Sequence, residues 1–96
     1  MKVLVINAGS SSIKYQLIDA DKEQLIAKGL VEKIGIKGSL LTHKINGKAY
    51  EFKQDLQDHA ESLELVLKVL QDKEVGAIAS HKEIDAVGHR VLHGGE

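Results

Sequence analysis

The chain contains no cysteine, proline or tryptophan, and its only aromatic residues are two tyrosines and one phenylalanine. Without cysteine, neither a disulfide framework nor a thiolate metal site can hold the fold, and the redox compartment is left unmarked. So few aromatic rings argue against a stacking surface for single-stranded nucleic acid. An excess of charge of one sign is also lacking: 13 Lys and Arg face 14 Asp and Glu, a net charge of -1. Bulk electrostatics therefore give no reason to expect a nucleic-acid or polyanion partner. The apolar run in Met1-Lys2-Val3-Leu4-Val5-Ile6-Asn7 is too short for a signal peptide, and no later stretch approaches a membrane span. The expectation is a cytoplasmic protein with no membrane and no nucleic-acid partner.

What is present is an ordinary globular composition, 43% hydrophobic and 28% charged over 96 residues. That length supports about one small domain, burying roughly two-thirds of the surface its unfolded chain exposes. Val3 to Ile6 is a short aliphatic run rich in β-branched residues, which predicts a strand covered on both faces. Ile13, Tyr15 and Leu17 alternate with Lys14 and Gln16, the period of two of a strand with one wetter face. The few residues between these runs predict an antiparallel hairpin. A third strand is expected over Leu25 to Ile34, beyond the polar turn Asp19 to Glu23. In "LLTHKINGKAYEF", Asn46-Gly47 separates two alternating segments, the favoured pair for a turn whose central residues need positive φ.

Asp58 predicts a helix N-cap, with Glu61 at the capping-box position three residues on. Leu63, Val66, Leu67 and Leu70 then follow at i, i+3, i+4 and i+7 as one apolar stripe. "IDAVGHRVL", Ile84 to Leu92, reads as a last strand running into His93-Gly94-Gly95. No repeat, low-complexity tract or linker interrupts the chain. The order of three strands, a hairpin, a helix and a strand predicts an α/β protein, a mixed sheet with helix cover.

Two stretches carry candidate chemistry. In "NAGSSSIK" a tight turn exposes backbone N–H groups, and Gly9 lets a ligand approach without meeting a Cβ. Ser10, Ser11 and Ser12 add hydroxyls, and Lys14 adds a mobile positive charge, a set suited to phosphate oxygens. Asn, Gly and Ser are equally ordinary turn formers, so the local composition alone fits a plain turn. The pattern is not a P-loop, which needs a second Gly followed by Lys and a hydroxyl residue. Asn7, at the end of the first strand, could orient a phosphate or a hydrated Mg²⁺, or could bond the local backbone. In "GHRVLHGG", Arg90 stands near the end of a strand that opens into Gly94-Gly95; guanidinium geometry matches carboxylate or phosphate oxygens, and a surface ion pair is the plainer alternative. His89 and His93 are four apart, but the segment reads as strand and lacks the Glu of a zinc-binding H-E-x-x-H. His43, His59 and His81 show no ligand spacing and are expected on loops or solvated faces.

Taken together, "KVLVINAGSSSIKYQLID" and "IDAVGHRVLHGGE" resemble the acetate kinase family, and "GLVEKIGIKGS" and "LTHKINGK" are similar to it too. The resemblance covers essentially the whole chain. It implies the α/β, ribonuclease-H-like (actin-like ATPase) fold of the sugar kinase, Hsp70 and actin superfamily. Residues 1–96 would be the N-terminal portion of the first of two domains, inactive alone, the remaining site elements and the second domain lying outside them. It implies reversible phosphorylation of acetate by ATP, with Mg²⁺, in a homodimer when full-length. By residue, it implies Asn7 near the metal and the transferred phosphate, and Ser10 and Ser12 beside the phosphates. Lys14 would be a nucleotide contact, Arg90 a catalytic and substrate-binding contact, and Leu92 part of the pocket for the substrate methyl. Leu92 stands where Val is common in the family, and Ile13 and Tyr15 are conservative variations. The alternatives are a propionate or butyrate kinase, or a noncatalytic anion-binding or interaction module.

Overall fold

Short turns join the first five strands, and a strand that returns through a short turn has only its predecessor's free edge to pair with. The computed structural model, which describes residues 1–91, shows that meander: β1 (Lys2–Ala8), β2 (Ile13–Asp19), β3 (Gln24–Glu32), β4 (Leu40–Ile45) and β5 (Lys48–Lys53), each antiparallel to the one before. The long segment 54–85 carries helix α1 (His59–Leu70) and a 3₁₀ turn (His81–Glu83). It delivers β6 (Ala86–Val91) to the far edge, parallel to β1. The sheet order is β5-β4-β3-β2-β1-β6.

The period of two is obeyed. Ile13, Tyr15 and Leu17 of β2 are fully buried, with Leu4 and Ile6 of β1, Ala27 and Val31 of β3 and Leu41 of β4 in the same core. The two-sided cover expected for β1 is not found among the described residues: Val3 and Val5 face away from the core and are only half-buried. A bulge shifts the β2–β3 register after Leu17, so that Leu17 pairs with Ala27 but Ile18 with Leu25. Asn46 and Gly47 both adopt positive φ, 54° and 77°, and close the hairpin with Ile45 opposite Lys48.

Asp58 caps α1 as expected, its Oδ1 accepting the Glu61 N–H at 2.9 Å. The reciprocal bond is displaced by one residue, because Glu61 Oε1 accepts from the Gln57 N–H rather than from that of Asp58. The buried face is Ser62, Leu65, Val66, Val69 and Leu70. Leu63 and Leu67, expected in the centre of the stripe, are half-buried at its flank. Ser62 can occupy the buried face because its hydroxyl donates to the Asp58 carbonyl at 3.0 Å, leaving no unmet polar group.

Three further expectations are corrected. His43 is not solvated: it lies in β4, fully buried, with Nδ1 2.6 Å from the Tyr15 hydroxyl and Nε2 2.8 Å from the Val75 carbonyl. An imidazole with both nitrogens satisfied can be buried at little cost. His59 is not on a free surface either; it opens α1, half-buried and bonded to Gly9. His81 begins the 3₁₀ turn. Strand β6 is shorter than expected: Ile84 and Asp85 precede it, and Asp85 and Lys2 exchange hydrogen bonds of 2.8 Å that fix its start beside β1. Leu92 and the His93-Gly94-Gly95 stretch lie outside the described residues.

Candidate functional site

In the turn between β1 and β2, the carbonyls of Gly9, Ser11 and Ser12 are engaged from within the protein, whereas of its amides only that of Gly9 is, among the described residues. Gly9 N–H donates to the Ser12 carbonyl at 2.8 Å. The Ser11 carbonyl accepts the Ile34 N–H, 2.9 Å away, from the loop that follows β3. The Gly9 carbonyl accepts from His59 Nε2 at 2.7 Å. Among the described residues, the N–H groups of Ser10, Ser11 and Ser12 have no protein partner. Three successive free N–H groups on a tight turn are the makings of an anion-binding nest. Ser10 and Ser11 are exposed, and Gly9 and Ser12 are half-buried.

One residue below the turn, the register lines up the remaining candidates. Asn7 of β1 is paired with Lys14 on β2 and with Arg90 on β6. Directly opposite residues of neighbouring antiparallel strands hold their Cβ atoms roughly 5 Å apart. An amide thus stands between two positions occupied by cationic residue types. Lys14 is exposed and Asn7 is half-buried on the sheet face opposite α1. The Asn7 side chain makes no hydrogen bond among the described residues, so it does not serve the turn backbone. That the three residues would meet depends on β6 pairing with β1, which their types alone do not disclose. Leu92, the substrate-pocket candidate, lies beyond the described residues.

No group of three or more His, Asp or Glu side chains is placed to hold a metal among the described residues. A Mg²⁺ here would have to rest on the Asn7 amide, phosphate oxygens and waters, which that ion accepts readily. The buried Tyr15–His43 pair is not part of this surface. Burial holds the His43 imidazole below its ordinary range, against the Val75 hydrogen bond that pulls the other way, and burial pushes the Tyr15 hydroxyl up. Both are enclosed in the core with their polar atoms bonded within the protein, which makes them structural. The residue that sequence reasoning missed is His59, whose partner is 50 positions away in the chain and leaves no trace in local spacing.

The family model described as the acetokinase family matches residues 2–96. The chain belongs to the acetokinase family. It is 62% identical over 96 residues to the acetate kinase of Clostridium novyi (strain NT), covering 100% of this chain and 24% of that relative. It is 60% identical, over the same shares, to the acetate kinase of Clostridium botulinum (strain Hall). The chain therefore spans about a quarter of the length of the curated relatives it matches. Among solved structures, Porphyromonas gingivalis acetate kinase superposes with a TM-score of 0.91 at 47% identity, over 98% of this chain and 24% of that one. A propionate kinase from Francisella tularensis superposes with a TM-score of 0.81 at 30% identity, over 98% and 23%. For this acetokinase-family chain, the mixed sheet with its helix is part of an actin-like ATPase domain.

Proposed function

We propose that these residues form the N-terminal portion of the first domain of an acetate kinase that moves the γ-phosphoryl group of ATP to acetate and back. The observation that carries this is the turn with three unpartnered N–H groups beside the row Asn7, Lys14 and Arg90, within a chain of the acetokinase family. In the forward direction an acetate oxygen forms a bond to the γ-phosphorus. The bond to the β,γ-bridging oxygen breaks, and its electron pair leaves with ADP. Such a transfer needs positioning and charge neutralisation more than covalent participation.

In this reading, the Ser10, Ser11 and Ser12 amides and the Ser10 and Ser12 hydroxyls hold phosphate oxygens. Lys14 steadies the nucleotide's negative charge. Arg90 offers N–H donors to the acetate carboxylate and to the oxygens of the γ-phosphoryl group that it attacks. Asn7 orients a phosphate oxygen or a water of the Mg²⁺ shell; when bound, that ion neutralises charge on the phosphates. Leu92 bounds the apolar pocket for the acyl group. The working protein is a cytoplasmic homodimer whose second domain completes the cleft. The likeness to a propionate kinase gives a second reading, in which the preferred acid is one carbon longer.

The test is a full-length kinase in which these 96 residues replace the matched segment of the Clostridium novyi protein. Phosphorylation is followed by ADP release and acyl-hydroxamate formation with acetate, propionate and butyrate. Acetate turnover above that of the longer acids supports the reading. A folded protein that phosphorylates none of them overturns it, and a preference for propionate selects the second reading.

A further inference from the structure

His59 stands at the first position of α1, directly after its cap, and its backbone is fixed there by the bonds of Asp58 to Glu61 and Ser62. From that place its Nε2 lies 2.7 Å from the Gly9 carbonyl oxygen. A carbonyl can only accept, so Nε2 carries the proton and the imidazole donates. In a tight two-residue hairpin the flanking residues normally exchange both backbone bonds. Here Gly9 and Ser12 exchange only one. Gly9 N–H reaches the Ser12 carbonyl, but the Gly9 carbonyl is held by His59 and the Ser12 N–H is unpartnered among the described residues.

We propose that His59 is a positioning residue for the phosphate turn: by drawing the Gly9 carbonyl towards α1 it keeps that carbonyl from Ser12 N–H, so the hairpin stays open and the N–H is left for an anion. The inference rests on the reading that this turn binds ATP phosphates, and it adds a residue that acts through Gly9 and Ser12 rather than by touching the nucleotide. The second anchor, Ile34 N–H on the Ser11 carbonyl, comes from the loop after β3. The turn is therefore held from outside the hairpin at two points. Donors fixed in advance need no reorganisation when charge arrives, which is what makes a nest effective.

When His59 is lost, the Gly9 carbonyl is freed to take Ser12 N–H, and ATP must then break that bond to bind. One such bond nets about 0.5–1.5 kcal/mol, so the KM for ATP is expected to rise about twofold to tenfold. The KM for acetate is expected to stay within about twofold, since the perturbed group belongs to the phosphate end of the site. Gln places an N–H donor the same number of bonds from Cα as His Nε2, whereas Asn stops one bond short.

The experiment compares wild type with His59→Ala, His59→Asn and His59→Gln in the full-length chimera described above, ¹⁵N-labelled at serine. Steady-state kinetics with ATP and acetate are measured together with the water-exchange rate of the Ser12 amide. The expected result is a raised KM for ATP with Ala and Asn, restoration with Gln, and a Ser12 amide that exchanges more slowly in Ala and Asn because it has found the Gly9 carbonyl. An unchanged KM for ATP in His59→Ala, or equal loss of affinity for ATP and acetate that Gln does not restore, overturns the proposal. Should the wild-type chimera lack kinase activity, it is the proposed function that has failed. The Ser12 exchange rate then still decides whether His59 holds the turn open: slower exchange in His59→Ala supports it, and an unchanged rate refutes it.

Discussion

Replacing Gly29 by alanine isolates the tightest contact in the sheet. Gly29 lies opposite Tyr15 across the β2–β3 ladder. A Cβ there would stand 2.2 Å from the Tyr15 hydroxyl oxygen and 2.3 and 2.4 Å from ring carbons Cζ and Cε1. The ring has no room to retreat: it is fully buried, it stacks on His43 with centroids 6.0 Å apart, and its hydroxyl is held 2.6 Å from His43 Nδ1. Overpacking costs about 1–3 kcal/mol, and stripping a buried hydrogen bond from its partner costs about 1–3 kcal/mol more. Against this, glycine-to-alanine changes at a compatible backbone stabilise by about 0.4–1 kcal/mol through the unfolded chain. Gly29 is not among the positive-φ glycines, so that gain applies in full here. The net expectation is a loss of about 1–5 kcal/mol, a large share of a small domain's stability. Urea unfolding followed by circular dichroism measures it. The sign changes if the contact is removed: in a Tyr15→Ala background, Gly29→Ala should be neutral or stabilising. A loss below about 0.5 kcal/mol in the wild-type background, or additive effects in the double variant, would refute the reasoning.

Other expectations follow from the same structure. Because burial holds His43 below the ordinary imidazole value of about 6.5, the unfolded chain takes up its proton first. The stability tied to neutral His43 is complete above about pH 6.5 and is lost as pH falls from there towards the folded value, at up to about 1.4 kcal/mol per pH unit; unfolding of wild type and His43→Gln at several pH values checks the slope. In the full-length kinase, Arg90→Ala is expected to lower acetate turnover by about two to four orders of magnitude with a modest change in ATP affinity, read by steady-state kinetics. Asn7→Asp puts a negative charge beside phosphate oxygens and should depress activity at every Mg²⁺ concentration; an unchanged Mg²⁺ titration would make Asn7 an ordinary strand residue. The 96-residue chain alone is expected to form no acetyl phosphate and to self-associate through Leu25, Val87 and its open sheet face, tested by coupled assay and light scattering.

Much of the scaffold was legible because its causes are local. Alternation in Ile13, Tyr15 and Leu17, the Asn46-Gly47 pair and the Asp58 cap each act within a few residues, and each is found where the pattern places it. The failures share a cause of the opposite kind. His43 and His59 were expected on loops or solvated faces because they show no ligand spacing, and only partners 28, 32 and 50 positions away make their burial inexpensive. Ser62 was passed over for Leu63 and Leu67 because a stripe drawn from apolar residues alone cannot include a hydroxyl that the helix itself satisfies. The two-sided cover expected for β1 assumed neighbours that the described residues do not contain.

The candidate site depends on one connection more than on any strand. A meander of β1 to β5 alone would leave β1 as an edge, with Lys14 as the sole neighbour of Asn7 in its row. The crossover 54–85 supplies the other neighbour by laying β6 beside β1, and on the way it brings His59 to the Gly9 carbonyl. That crossover is itself held at points away from the turn. Val75 takes the His43 bond from β4, Ala77 and Ile78 donate to the Leu70 carbonyl, and Asp85 bonds to Lys2. Gly76 sits in a bend of it where a Cβ would lie 2.3 Å from the Asp72 carbonyl oxygen and 2.4 Å from that of Leu70. The backbone at that bend cannot yield as a flexible side chain could. Loosening the crossover at His43 or Gly76 therefore acts on the placement of both Arg90 and His59, although neither His43 nor Gly76 forms part of the turn or of the Asn7 row.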